Sequence, residues 1–162
     1  MASGVQLAVF KAQDQEFQGT DYARRDRRGE HPVLDFALTE IAYFSFVLAD
    51  SYEGGGITVN LHYAMTTATA NDIRLNTFFE RIGEVQDMDS EGFDATGVTG
   101  TDDTVPGSAG VPAIVSNAHS NGARIDSLVV GEGGRLKVVR AAVAGTDATG
   151  DLEIRFIELV ET

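Results

Sequence analysis

The chain of 162 residues has no cysteine, no tryptophan and only three prolines. Without cysteine there is no disulfide framework, no thiolate zinc site and no cysteine nucleophile, and the chain is compatible with either redox compartment. The lack of tryptophan weakens the case for a sugar-stacking module without removing it. Basic residues are scarce: twelve Lys and Arg against twenty-five Asp and Glu give a net charge of −13. Phosphate contacts need Lys and Arg, so this balance argues against bare nucleic acid as a partner. It favours solubility and resists non-specific sticking. No apolar run reaches the length of a membrane-spanning helix, so no membrane partner is expected. The N-terminus lacks a charged region followed by an apolar core, so no signal peptide is expected.

What the chain does have is alternation. From Gly56 to Met65, residues Ile57, Val59, Leu61, Tyr63 and Met65 share one face, and Thr58, Asn60 and His62 the other. That period of two belongs to a half-buried antiparallel strand. Ile73–Ile82 follows after a Thr/Ala/Asn-rich break. Further strands are expected at 3–10, 33–38, 41–48, 111–117 and 135–143. Ile125–Val130 reads as a strand or a turn-like segment. In the last strand, Leu152, Ile154 and Phe156 are expected on one face, with Glu153 and Arg155 opposite. Asp50 and the glycines at 54–56 mark one turn, and the Gly145–Gly150 stretch another. Glu84–Gly110 reads as a long acidic surface connection with room for one short strand near Phe93–Val98. About eight short strands and no convincing helix predict an all-β antiparallel sandwich of jelly-roll type. The length suits one domain with a real core. Residues 33–162 are assigned to the sandwich, and residues 1–32 to an extended N-terminal arm or loop, because Lys11–Pro32 lacks the apolar repeat of a buried element.

Candidate chemistry is thin. Asp87, Asp89, Glu91 and Asp94, with Gly92 between them, mimic the start of a calcium loop. The twelfth position is Val98 where a bidentate Glu is required, so no metal is expected and no cofactor is implied. Arg24, Arg25, Arg27 and Arg28 form the one dense basic run, interrupted by Asp26. Guanidinium groups pair with oxyanions, so this run is the candidate partner-binding segment, on a neighbouring copy or on an acidic surface. His31, His62 and His119 are far apart in sequence, and His62 falls on the polar strand face. No nucleophile elbow, zinc-binding helix motif or marked carboxylate pair is present, so no catalytic residue is named and no enzymatic activity is expected. Phe44, Phe46, Phe78, Phe79 and Phe156 lie in strand patterns and are expected in the core. Phe78 and Phe79 are adjacent, so one should pack inside and the other against an overlying loop or partner.

The stretch from Tyr43 to Ile82 carries a resemblance. It joins an aromatic-rich strand to Asp-Ser-Tyr-Glu-Gly-Gly-Gly-Ile-Thr-Val-Asn-Leu-His-Tyr and then to Asn-Asp-Ile-Arg-Leu-Asn-Thr-Phe-Phe-Glu-Arg-Ile. It resembles the small jelly-roll structural proteins of tailed bacteriophages, of the head decoration (cement) type, over roughly residues 33–160. The resemblance includes the strand that begins at Gly134 and the terminal Leu152–Phe156. It implies a virion structural protein on the outer capsid surface, made in the host cytoplasm and without catalytic residues. Its partners would be the major capsid protein and further copies of itself, as a trimer that stabilises the shell. Multivalency would then amplify weak contacts. The alternative is a receptor- or glycan-binding module of a head fibre, tail fibre or baseplate. A tail or connector component and a β-sandwich hydrolase rank behind both.

Overall fold

The computed structural model describes residues 4–16, 19–93 and 96–162. Ten strands run in chain order: β1 (Gln6–Lys11), β2 (Arg24–Arg28), β3 (His31–Phe36), β4 (Ile41–Val47), β5 (Ile57–Met65), β6 (Asp72–Ile82), β7 (Asp103–Thr104), β8 (Ala113–His119), β9 (Gly133–Ala141) and β10 (Leu152–Glu161). Two single turns of 3-10 helix, Ala12–Asp14 and Ala123–Ile125, are the helical elements among the described residues. No helix is long and apolar enough to cross a membrane.

The strands form two antiparallel sheets. The larger has the order β2-β3-β10-β5-β8, with β1 also paired to β10, and the smaller has the order β4-β9-β6-β7. The expected jelly-roll sandwich is therefore the fold. The alternation read in β5 holds along its whole length: Ile57, Val59, Leu61, Tyr63 and Met65 are buried against the opposite sheet. From β9, Leu136 and Val138 meet them. Aromatic rings fill the middle. Phe10 lies 5.1 Å from Phe44 between ring centres, and Phe46 lies 6.0 Å from both Phe10 and Phe79. Burial of these rings and of the aliphatic stripe on both sheets is the main stabilising term.

The N-terminal segment differs from the arm expected for residues 1–32. β1 lies along the C-terminal half of β10, with Phe10 opposite Ile157. β2 and β3 form a hairpin in which Arg28 faces His31, turned by Gly29 and Glu30. A boundary at residue 32 would cut through β3. The physical reason is that β2 is an edge strand. It needs only one covered neighbour, and dense charge on such an edge guards it against pairing with another chain. Ile125–Val130 is the turn-like alternative: the 3-10 turn at its start is followed by Asp126 and Ser127 in the left-handed region.

The long connection after β6 decides which sheet face is open. Phe93 stacks on Tyr43 at 5.3 Å, and the Arg135 guanidinium lies over both rings at 5.1 and 5.3 Å. Lys137 sits 5.2 Å from the centre of Phe78 and 5.8 Å from that of Phe93. Val98 exchanges two backbone hydrogen bonds with Thr77, at 2.8 and 3.0 Å. Phe79 is in the core and Phe78 lies under this connection, as their adjacency implied. The expected strand at Phe93–Val98 reduces to the single bridge at Val98, and residues 94 and 95 lie outside the described residues. Gly97 allows the close approach, since a Cβ there would stand 2.1 Å from a Phe78 ring carbon. Gly97→Val is expected to lift the connection at a cost of about 1–3 kcal/mol. Limited proteolysis should then cut within residues 84–102 much faster than in the parent chain. An unchanged rate would contradict the packing role.

Candidate functional site

With the outer face of the smaller sheet covered, the outer face of the larger one is the open surface. Its strands present Asn60, His62 and Ala64 from β5, Ile114 and Ser116 from β8, and Glu153, Phe156 and Glu158 from β10. β10 changes partners midway. Its first half pairs with β3, from Leu152 opposite Phe36 to Ile154 opposite Leu34, and its second half pairs with β1. At the changeover the register against β5 shifts: Ile154 faces Tyr63, Phe156 faces His62, and Arg155 is the extra residue of a bulge. A bulge leaves one residue unpaired and re-aims the side chains around it.

Phe156 was expected in the core and is on the open face, half-buried. The bulge is the reason. Strict alternation from Leu152 would place Phe156 inside but would expel Ile157 and Leu159. The extra residue restores both of these to the core and turns Phe156 outward. The signal was present in the odd spacing between the buried pairs Leu152/Ile154 and Ile157/Leu159.

A cavity of about 310 Å³ opens at this changeover. Its walls are Arg28, His31 and Val33 on one side and His62, Ala64 and Pro112 on the other, with Glu153, Arg155 and Phe156 between them. A second hollow, against Lys11, Gln13 and Pro32, shares Arg155 and Phe156 with the first, so the two adjoin at these side chains and are together called the groove. Across the sheet the register aligns Ile114 with His62, His62 with Phe156 and Phe156 with Lys11. At the usual strand spacing this row is roughly 14 Å long. Ile114 is 54% exposed, and the His62 ring meets Phe156 edge-on at 6.3 Å. The Arg155 guanidinium lies 4.9 Å from the centre of the Phe156 ring.

The charges in the groove fall into two groups. Arg28 forms an ion pair with Glu153 and donates to the Met65 and Thr66 carbonyls at 2.8 and 3.1 Å. Glu158 accepts from Gln6 and from Asn60. These groups are committed within the chain. Arg155 and Lys11 make no ion pair among the described residues. Next to the groove, Asp35 pairs with Glu153 across the strands. Burial pushes its carboxyl up to about 6, with further increments from Asp151 and Glu153, and its Oδ1 is the one buried side-chain oxygen or nitrogen without a hydrogen bond among the described residues.

The basic run reaches this site only at its end. Arg25 donates to the Gln13 and Gln15 carbonyls, Arg27 to that of Glu30, and Arg28 forms the groove wall. Arg24 is exposed on the edge strand. In the acidic connection, Asp87 folds back to accept from the Asp89 amide at 3.0 Å, Glu91 lies nearby in sequence, and Asp94 is outside the described residues. Among the described residues no three His, Asp or Glu side chains are grouped to hold a metal. His119 is in the core, so of the three histidines His31 and His62 belong to the groove.

No protein-family model matches the sequence, and no curated protein matches it. Solved structures do match the fold. Carbohydrate-binding module CBM36, in complex with calcium and xylotriose, is 15% identical with a TM-score of 0.51, covering 94% of this chain and 99% of that one. The CBM36-1 domain of a xylanase from the hindgut metagenome of Trinervitermes trinervoides is 10% identical with a TM-score of 0.53, covering 94% of each chain. CsCBM6-3 from Clostridium stercorarium, in complex with cellobiose, is 11% identical with a TM-score of 0.52, covering 96% and 95%. At these identities the similarity establishes the jelly-roll fold.

Proposed function

We propose that this chain is a non-catalytic carbohydrate-binding module whose glycan lies in the groove on the open face of the larger sheet. The observation that carries this reading is Phe156, turned outward by the β10 bulge at the centre of a row of His62, Ile114 and Lys11 beside the cavity. An apolar ring can pack against the C–H face of a sugar, and convergent polar groups fix its orientation. His31, His62 and Ser116 supply donors and acceptors on that face. The neighbours of similar fold that were solved with xylotriose and cellobiose support the same class. Binding rather than turnover fits the carboxylate in the groove, because Glu153 is tied to Arg28 and is not free to act as one of an acid–base pair.

The capsid-decoration reading shares the fold and rested on the resemblance of residues 43–82, with the basic run as its candidate contact to a neighbouring copy or an acidic capsid surface. That run is an edge strand, and Arg25, Arg27 and Arg28 bond within the chain. The glycan reading therefore stands first.

Affinity electrophoresis against a panel of neutral and acidic polysaccharides tests it. Retardation by at least one is expected. Phe156→Ala is expected to weaken that binding about tenfold or more in titration calorimetry, since the ring is the central apolar contact. A chain retarded by no polysaccharide, or a Phe156→Ala variant that binds as the parent does, would overturn the reading.

A further inference from the structure

Resting on that reading, we infer that the glycan held in this groove is acidic and carries uronate carboxylates, with Arg155 as the residue that recognises them. The net charge of −13 makes most of this surface repel anions, so a cationic hollow in it is informative. Arg155, Lys11, Arg28, His31 and His62 line this groove from five strands, of which only β2 and β3 are neighbours in a hairpin. Two acids of the same face have partners within the chain, Glu153 in Arg28 and Glu158 in Gln6 and Asn60, while Asp35, opposite Glu153, keeps a buried Oδ1 without one. Asp26, opposite Val33, accepts from the Arg27 amide at 2.7 Å.

Arg155 is built differently from the other arginines of this face. It is the extra residue of the bulge, it is exposed, and its guanidinium carbon lies over the Phe156 ring, 4.9 Å from the centre. That contact holds the group over the ring, and its N–H donors have no acidic partner among the described residues. A planar fork presented edge-on matches a carboxylate bidentately. The same ring thus has two tasks, a surface for the sugar and a support for the cation that reads its charge. Lys11, opposite Phe156 on β1, lines the second hollow together with Arg155 and brings a second cation to it.

The geometry favours isolated carboxylates over dense sulfation. The groove offers one free guanidinium and one free ammonium, and the acidic remainder of the surface repels a densely charged polymer. A chain with one carboxylate per sugar, partly screened at physiological salt, meets that balance.

The test compares polygalacturonate, alginate and glucuronoxylan with neutral xylan, a neutral glucan, methyl-esterified polygalacturonate and heparin. At least one uronate polymer is expected to bind roughly tenfold or more tightly than its neutral counterpart, the effect of one charge-assisted contact. Arg155→Gln should erase that preference, so that the uronate polymer and its neutral counterpart bind within about twofold of each other. Arg155→Lys should restore part of it, because charge returns without the fork. Equal affinity for charged and esterified polymer, or tightest binding to heparin, would overturn the acidic-glycan inference and leave the carbohydrate-binding reading standing. Retardation by none of the polymers would overturn both.

Discussion

Arg140→Ala is expected to destabilise the protein by about 3–5 kcal/mol, because it strips three carbonyls of their donor, those of Phe36 and Ala148 in buried bonds. Arg140 is the last inward residue of β9, in line with Leu136 and Val138, and it is only 2% exposed. It donates to the Phe36 and Gly150 carbonyls through Nη1, both at 2.8 Å, and to the Ala148 carbonyl through Nη2 at 2.9 Å. One side chain therefore ties β9 in one sheet to the end of β3 in the other, and both to the turn before β10. Its partners are neutral, so burial lowers its pKa, opposed by the carboxylates of Asp151 and Asp147. The guanidinium is useful here because one planar group can serve three acceptors in fixed directions. Arg140→Lys keeps the charge but cannot reach all three, and should lose roughly half as much stability. Denaturant titration at constant pH measures both. For a domain of this size the alanine variant should melt about 6–20 °C lower. A loss below about 1 kcal/mol would show that water replaces the side chain at the end of the sandwich.

The second large effect is on pH. His119 is 1% exposed, and burial pushes its imidazole down from 6.5 to about 4. Its Nδ1 bonds the Arg124 carbonyl at 3.1 Å and its Nε2 lies 2.8 Å from the Thr77 hydroxyl, which also accepts from Asn117. With Nδ1 protonated, Thr77 donates to Nε2 and every member of this network is satisfied, so a second proton on Nε2 would deprive the Thr77 hydroxyl of its acceptor. Because the folded pKa is depressed, the unfolded chain binds the extra proton between pH 6.5 and 4. The stabilisation is complete above 6.5 and is lost as pH falls through 4, about 3 kcal/mol in total.

Asp35 works in the opposite direction. Its folded pKa is raised from 3.8 to about 6, so its contribution is complete below 3.8 and is lost as pH rises through 6. It is partly exposed, and solvent screening reduces this to about 1 kcal/mol. The parent chain should therefore lose a net stability of about 2 kcal/mol from these two groups between pH 7 and 4. Asp35→Asn should gain about 1 kcal/mol at pH 7 and then fall more steeply on acidification. His119→Gln should begin lower and fall less. Unfolding curves at pH 7, 5.5 and 4 for the three chains separate the contributions. A His119→Gln slope equal to that of the parent would refute the assignment.

The parts of this fold that were legible in the sequence are those where one periodicity runs unbroken. Ile57 to Met65 and Ile73 to Leu75 alternate without a defect, and their inward sets follow directly. Phe78 and Phe79 were legible as a pair on opposite faces. β2 was not, because Arg-Arg-Asp-Arg-Arg has no apolar alternation to reveal a strand. An edge strand over solvent does not need one. Phe156 was misread for another reason. The periodicity of β10 breaks once, at Arg155, and alternation carried across the break assigns the ring to the interior. The groove escaped detection for the same cause. Lys11, Arg28, His31, His62 and Arg155 converge only through a register that links β1, β2, β3, β5 and β10. None of these spacings is visible along the chain.

The bulge separates two demands that normally compete in a small sheet. Both halves of β10 keep their interior contacts whichever side chain stands at position 155, because that residue is supernumerary to the pairing on either side. Selection, or a combinatorial library, could therefore sample many side chains at that one codon to retune what the face recognises, while the packed interior stays as it is.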